Sequence, residues 1–352
     1  MKLLRKLKKN KNVIESIEDV EMVWFNVKIL KFWAVLIDDN WRQYFSYIPL
    51  FFLILLQLLD LHYTEKPIAD KIHDTYMTML MFNTFLRTKI MVTKRHKFTQ
   101  ILEYIKDVYT ELMMRDDLEI RRILKEHTEL VLKVSKIYLI VGILTGVGFS
   151  VFPIMSDKRE FIFGVYVPYL DEYQSPCYEI LLTIQCALNL YALCTFIPFT
   201  GMFVSFIIFA IAISKILQYK LSTISQEISS QLVQKKIIKC INLHLKLIRF
   251  VNNINERNFT ISLVDLILFV VVLCIMLLSL ILVNTVLQKC IIIIYIITIF
   301  SQPFILHYFS NEVYYESLEI STAAYNVNWY NFDIETQKML KIFLLRSQKP
   351  CA

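Results

Sequence analysis

The chain has 352 residues, of which 56% are hydrophobic and 14% aromatic, with only five glycines and a formal charge of +7. Soluble domains carry about 45–50% apolar residues. Here the excess is gathered in blocks such as "LVDLILFVVVLCIMLLSLILV" and "CIIIIYIITIF", which excludes an ordinary soluble domain.

The basic start "MKLLRKLKKNKN" is followed by Glu15, Glu18, Asp19 and Glu21. A cleaved signal needs an apolar stretch there, so none is read. A bilayer-crossing helix needs about 20 mostly apolar residues. The runs predict an all-α, polytopic membrane helical bundle with six spans, near 44–61, 68–92, 130–155, 178–213, 259–286 and 290–309. The second is the least apolar, because Asp70, Lys71, His73 and Asp74 interrupt its start. In the third, Gly142 and Gly146 form a pair of small residues one turn apart, a pattern that lets helices pack closely. Asp265 stands near the start of the fifth. Intramembrane charges are functional candidates by default, but its place near the span's edge favours a solvated or paired structural role.

Lys and Arg are unevenly spread between the spans. Lys2, Arg5, Lys6, Lys8, Lys9 and Lys11 precede the first. Lys94, Arg95, Lys97, Arg115, Arg121, Arg122 and Lys125 lie between the second and third. Lys235, Lys236, Lys239, Lys246 and Arg249 lie between the fourth and fifth, and Lys338, Lys341, Arg346 and Lys349 follow the sixth. The other connections are poor in positive charge. Cytoplasmic connections are the positive ones, so the N-terminus and the tail are expected in the cytoplasm. That disfavours a G-protein-coupled receptor. The domain plan is a cytoplasmic segment 1–43, a membrane domain 44–309 and a cytoplasmic anchor segment 310–352. The connections "FTQILEYIKDVYTELMM" and "QKKIIKCINLHLKLIRFVNNINERNF" show helical spacing. They read as extensions of the spans rather than as helices lying on the membrane surface.

No catalytic or cofactor pattern is visible. "GILTGVG" sits inside a span, not after a strand, and HExxH, GxSxG and paired metal spacings are absent from the sequence. The seven cysteines, including Cys177, Cys186 and Cys194 on one apolar segment, read as packing thiols. His244 reads as a hydrogen-bonded structural residue. The glycosylation pattern at Asn258 falls on the expected cytoplasmic side and is discounted. The sequence gives no case for an enzyme, a metal, a cofactor or a nucleic-acid partner. A transporter is disfavoured because neither related halves nor broken, charged helices are found.

The C-terminal stretch "NEVYYESLEISTAAYNVNWYNFDIETQKMLKIFLLRSQKP" resembles the signature of insect odorant receptors. The matching residues are Glu316 and Ser317, Ala324 and Tyr325, Trp329 and Tyr330, Gln337 and Lys338, and the block Arg346-Ser347-Gln348-Lys349-Pro350. "YVPYLDEYQSPCYEILLTIQ" is similar to the family's second outer loop, and "INLHLKLIRFVNNINERNF" to its cytoplasmic entry into the fifth span. The resemblance implies a tuning subunit that binds a small volatile ligand. With an olfactory co-receptor it forms a hetero-tetrameric, odorant-gated cation channel in the dendritic plasma membrane of an olfactory sensory neuron. Membrane lipid surrounds it. The co-receptor itself is disfavoured, because its much longer insertion between the fourth and fifth spans is not present.

The implied anchor is built from the cytoplasmic helix ends and the first half of a seventh helix, with Trp329, Tyr330, Leu340, Phe343 and Leu344 as its contacts. The family continues past this point with a pore-lining half-helix, whereas Pro350 is followed only by Cys351 and Ala352. The topology is thus expected to be six spans plus the cytoplasmic half of helix seven, the shortfall reflecting an incomplete gene model. If it is genuine, the alternative is a non-conducting regulatory subunit. A gustatory-type chemoreceptor is the other alternative, disfavoured by the "RSQKP" block.

An odorant site should be an apolar cavity with few polar groups. The resemblance places it among the outer halves of the second to fifth spans. The expected lining is Tyr76, Met79 and Leu80 on the second; Thr145, Gly148 and Phe152, which share a face, on the third; Leu188 and Tyr191 on the fourth; and Met276, Leu277 and Leu280 on the fifth.

Overall fold

A computed structural model describes residues 17–33, 35, 46–114, 117–155, 159–224, 229–283 and 285–351. The basic residues of the first eleven positions and Arg115 lie outside them, as do the side chains of Phe152 and Asn258. The described residues form helices and no strand. In chain order these are α1 (Glu21–Phe32), α2 (Ile48–Tyr63), α3 (Ile68–Met113), α4 (Leu118–Met155), α5 (Cys177–Ile224), α6 (Ser230–Leu282), α7 (Val286–Tyr325) and α8 (Ile334–Ser347).

Helix α5 is the axis of the bundle. Between Ile197 and Leu217 nearly every side chain is buried, small and polar ones included. A helix that is apolar all round belongs inside. It packs against α1, α3, α4, α6 and α7. Gly142 and Gly146 let α4 close on it, since a Cβ at either position would run into Ile197 or Leu193 of α5. Helix α1 falls within the expected 1–43 segment, yet it is a packed element. Its Met22, Val23, Val27 and Leu30 are fully buried, and Asn26 donates to Ser135 Oγ (3.0 Å) and Ser205 Oγ (3.3 Å).

Among the described residues four helices are long and apolar enough to cross a membrane: Leu118–Val151, Cys177–Ile224, Ser262–Leu282 and Gln288–Tyr325. These carry the third to sixth expected spans. Helix α2 is apolar but has only 16 residues, and α3 has the length without the composition. Two of its charged residues find partners in the bundle: Asp74 accepts from Lys66 and Arg87 donates to Asp265.

At a rise of 1.5 Å per residue, the 46 residues of α3 and the 53 of α6 run about 70 and 80 Å. That is more than twice a bilayer's hydrocarbon core of about 30 Å. Both helices continue unbroken through the stretches read as extensions, as that reading requires.

Two apolar cores result. The larger joins α1, α5, the far halves of α3 and α6, α7 and α8. The smaller lies at the end of the bundle that carries connection 159–176, called the loop end below, and is built around Leu50, Tyr76, Phe149, Phe163, Met276 and Ile292.

Candidate functional site

The loop-end core encloses a cavity of about 440 Å³ between α3, α4, α6, α7 and the connection 159–176. The connection is fastened over it by side chains that replace missing sheet or helix partners. Gln185 of α5 accepts from the backbone N–H groups of Ile162 (3.0 Å) and Phe163 (3.2 Å) and donates to the Phe163 carbonyl (3.0 Å). Asp74 Oδ1 accepts from the Gly164 N–H at 3.1 Å. With these backbone groups satisfied, Ile162, Phe163 and Val165 turn inward and are buried.

The rim is charged. Lys66, between α2 and α3, donates to Asp60 Oδ2 (2.5 Å) and Asp74 Oδ2 (2.9 Å). Burial works against this ammonium, but the bonds to Asp60 and the nearby Asp74 charge outweigh it and hold its pKa above the ordinary lysine value. Asp60 also accepts from Thr64 Oγ1 at 3.0 Å. The knot ties α2 to α3, with one ammonium shared between two carboxylates.

Away from the charged rim, Phe149, Pro153, Leu282, Ile291 and Ile292 give apolar lining, beside Thr285 and Gln288. Tyr76 and Ser279 also line the cavity, and their hydroxyls are buried with no hydrogen-bond partner in the chain. A buried hydroxyl without a partner costs on the order of 1–3 kcal/mol, so each is a handle for whatever fills the space. Phe149 and Tyr295 supply aromatic surface beside them, with ring centroids 4.6 Å apart.

Of the residues expected to line a pocket, Tyr76 lines this one. Met79, Leu188, Met276 and Leu280 belong to its surrounding core without facing the space. Tyr191 is buried, with its ring against Trp33 and its hydroxyl donated to the Ser46 carbonyl. Thr145 bonds the Val141 carbonyl of its own helix. Gly148 is exposed with open space where a Cβ would stand, and Leu277 is exposed too. On α4 the cavity is lined instead by Phe149 and Pro153, one helical phase away. Ser279 was also not anticipated. Its signal was a lone hydroxyl in the otherwise apolar stretch "IMLLSLILV".

Leu80 lines a second cavity, of about 280 Å³, deeper in the bundle between α3, α5, α6 and α7. Here Asp265 finds its partner. Arg87 Nε donates to Asp265 Oδ1 at 2.9 Å and a second guanidinium nitrogen approaches Oδ2 at 2.8 Å. A third bonds Thr200 Oγ1 at 3.0 Å, and the guanidinium lies 4.0 Å over the Phe196 ring. Asp265 is thus a paired structural charge, as expected.

At the opposite end of the bundle, Leu340 and Phe343 of α8 are buried against the main core and Leu344 packs on it, whereas Trp329 and Tyr330 are exposed. His244 of α6 meets the Phe343 ring edge-on at 5.2 Å, a ring contact where a hydrogen bond was expected.

Long apolar helices around a small-molecule-sized space fit a multi-pass membrane protein. The chain belongs to the 7tm odorant receptor family, whose model matches residues 68–352. It is 36% identical over 343 residues to odorant receptor 30a of Drosophila melanogaster, covering 96% of this chain and 91% of that receptor. It is 32% identical over 340 residues to odorant receptor 10 of Aedes albopictus, covering 96% and 91%. The fold is similar to that of the insect olfactory receptor OR5 from Machilis hrabei, solved in complex with eugenol. The TM-score is 0.74 at 14% identity, over 89% of this chain and 82% of that one. The family is one of receptors, not enzymes.

Proposed function

We propose that the chain is an odorant-tuning subunit whose ligand binds in the loop-end cavity. The observation that carries this reading is the pair of buried, unpartnered hydroxyls, Tyr76 and Ser279, beside the apolar surface of Phe149, Pro153 and Ile292. A small volatile molecule with one polar group meets both demands: it fills apolar space and satisfies an orphan hydroxyl. The Machilis hrabei receptor of the same fold was solved with eugenol. The loop end then faces outward and the N-terminus lies in the cytoplasm, which agrees with the distribution of Lys and Arg.

The subunit works with an olfactory co-receptor as a hetero-tetrameric cation channel in the dendritic plasma membrane of a sensory neuron. Segment 310–352 serves as the anchor to the partner. What supports the anchor is division of labour: Leu340, Phe343 and Leu344 hold α8 to its own subunit, while Trp329, Tyr330, Ile342 and Leu345 are left exposed. Recording odorant-panel currents on co-expression with the co-receptor tests the reading. Tyr76→Phe and Ser279→Ala are expected to reorder the panel, lowering responses to ligands with a polar group by about tenfold, the worth of roughly one hydrogen bond. An unaltered ranking in both variants at normal surface expression overturns the assignment of the cavity.

A further inference from the structure

The deeper cavity is separate from the loop-end one. On α6 their nearest lining residues are Val272 and Ser279, about 10 Å apart at 1.5 Å per residue, and no described residue lines both. The chemistry also differs. The strongest charges in the deeper cavity, Arg87 and Asp265, already neutralise one another in a two-point ion pair, and Thr200 takes a further guanidinium N–H. Such a site makes no demand for a charged ligand. Its walls are Leu80, Phe196, Phe199 and Val272.

Among the described lining residues one buried side-chain atom is left unsatisfied. Asn83, one turn before Arg87 on the same face of α3, is 8% exposed and lines the cavity, and its Oδ1 has no hydrogen-bond partner in the chain. A buried amide oxygen in that position asks for a donor. Leu263 and Leu266, which also line the cavity, are about half exposed on the apolar outer face of α6, giving access from lipid.

From this we infer a second ligand site, around Asn83, for a neutral apolar molecule with a single hydroxyl that donates to Asn83 Oδ1. The shared chemistry is a mono-hydroxylated amphiphile. Its two possible sources are a volatile alcohol dissolved in the bilayer and a bilayer lipid with a free hydroxyl. The inference does not depend on the loop-end cavity being the odorant site.

The test uses the full 352-residue chain in phosphatidylcholine nanodiscs with a diazirine-bearing octanol, labelled peptides being identified by mass spectrometry. Saturable labelling of the 262–272 and 299–307 peptides is expected. Asn83→Leu, of similar size but without the amide, should weaken half-saturation about tenfold. Val272→Phe, which fills the space and leaves Asn83 in place, should abolish the labelling. Both variants are scored only as monodisperse protein with a cooperative thermal transition.

Competition by octanol but not by diacylglycerol assigns the site to volatile alcohols, and competition by diacylglycerol assigns it to lipid. Octane, lacking the hydroxyl, should compete at least tenfold less well than octanol. Labelling that fails to saturate, or that both variants leave unchanged, or that octane and octanol displace equally, overturns the site.

Discussion

The difference between Gly148 and Phe149 shows how much one helical step decides. Gly148 was expected to open the pocket, but no heavy atom outside its immediate neighbours lies within 4 Å of where its Cβ would be, and Phe149 holds the wall. Gly148→Leu is therefore expected to leave the odorant ranking unchanged, and Phe149→Ala to alter it. Responses of surface-expressed variants over one odorant panel decide this. A reordered panel in Gly148→Leu with none in Phe149→Ala returns the site to the other face. The Arg87–Asp265 pair makes a second prediction. Removing one partner of a largely buried pair leaves an uncompensated charge, which costs about 3 kcal/mol. Arg87→Met and Asp265→Leu should each lower the thermal midpoint clearly. The double variant should return to within about 1 kcal/mol of the parent, because no charge is left stranded. Equal losses in the double and the singles would show that the pair's partners matter individually.

Helix α8 is a short element whose hold on the bundle is legible in its chemistry. Asp333 caps its start, accepting from the Thr336 N–H and from Ser230 Oγ of α6. These bonds hold the Asp333 carboxyl below the usual range. Phe343 then rests on His244. Burial, with the Arg346 charge adding to it, pushes His244 down to about 4. An unfolded histidine titrates near 6.5. Between those values His244 binds a proton when α8 is released that it refuses when α8 is docked, so this contribution to docking is complete above about pH 6.5 and is lost as pH falls through about 4. Hydrogen-exchange protection of 334–347, corrected for intrinsic exchange at each pH, should fall across that window. His244→Phe should flatten the fall. A parent profile that is already flat, or an equal slope in the variant, removes His244 as the cause.

Across the whole molecule the length of the helices agrees with the charge pattern. The stretches of α3 and α6 read as cytoplasmic run on from the same helices that enter the bundle, so Lys94, Lys97, Lys239 and Lys246 fall on the side opposite connection 159–176. An epitope placed at residue 2 is expected to stain only permeabilised cells. Staining of intact cells would invert the bundle and place the loop-end cavity on the cytoplasmic side, out of reach of an external odorant.

The sequence by itself determined the class. Apolar blocks of span length, the placement of Lys and Arg, and the "RSQKP" ending led to an all-helical odorant receptor, because membrane insertion depends on local composition and a family signature depends on local order. The close approach at Gly142 and Gly146 and the structural role of Asp265 were legible for the same reason. The tertiary structure alone decided which face of each helix looks inward. In a soluble protein the apolar face is the buried one. In a membrane bundle the lipid is as apolar as the core, so periodicity groups Thr145 with Gly148, and Tyr76 with Leu80, without saying where either face points. Long-range polar pairing was equally out of reach: Arg87 and Asp265 are 178 residues apart, and only packing of α3 against α6 and α5 brings them together. The same packing leaves Tyr76, Ser279 and Asn83 with buried polar atoms and no partner, a property of the assembled space rather than of any segment that borders it.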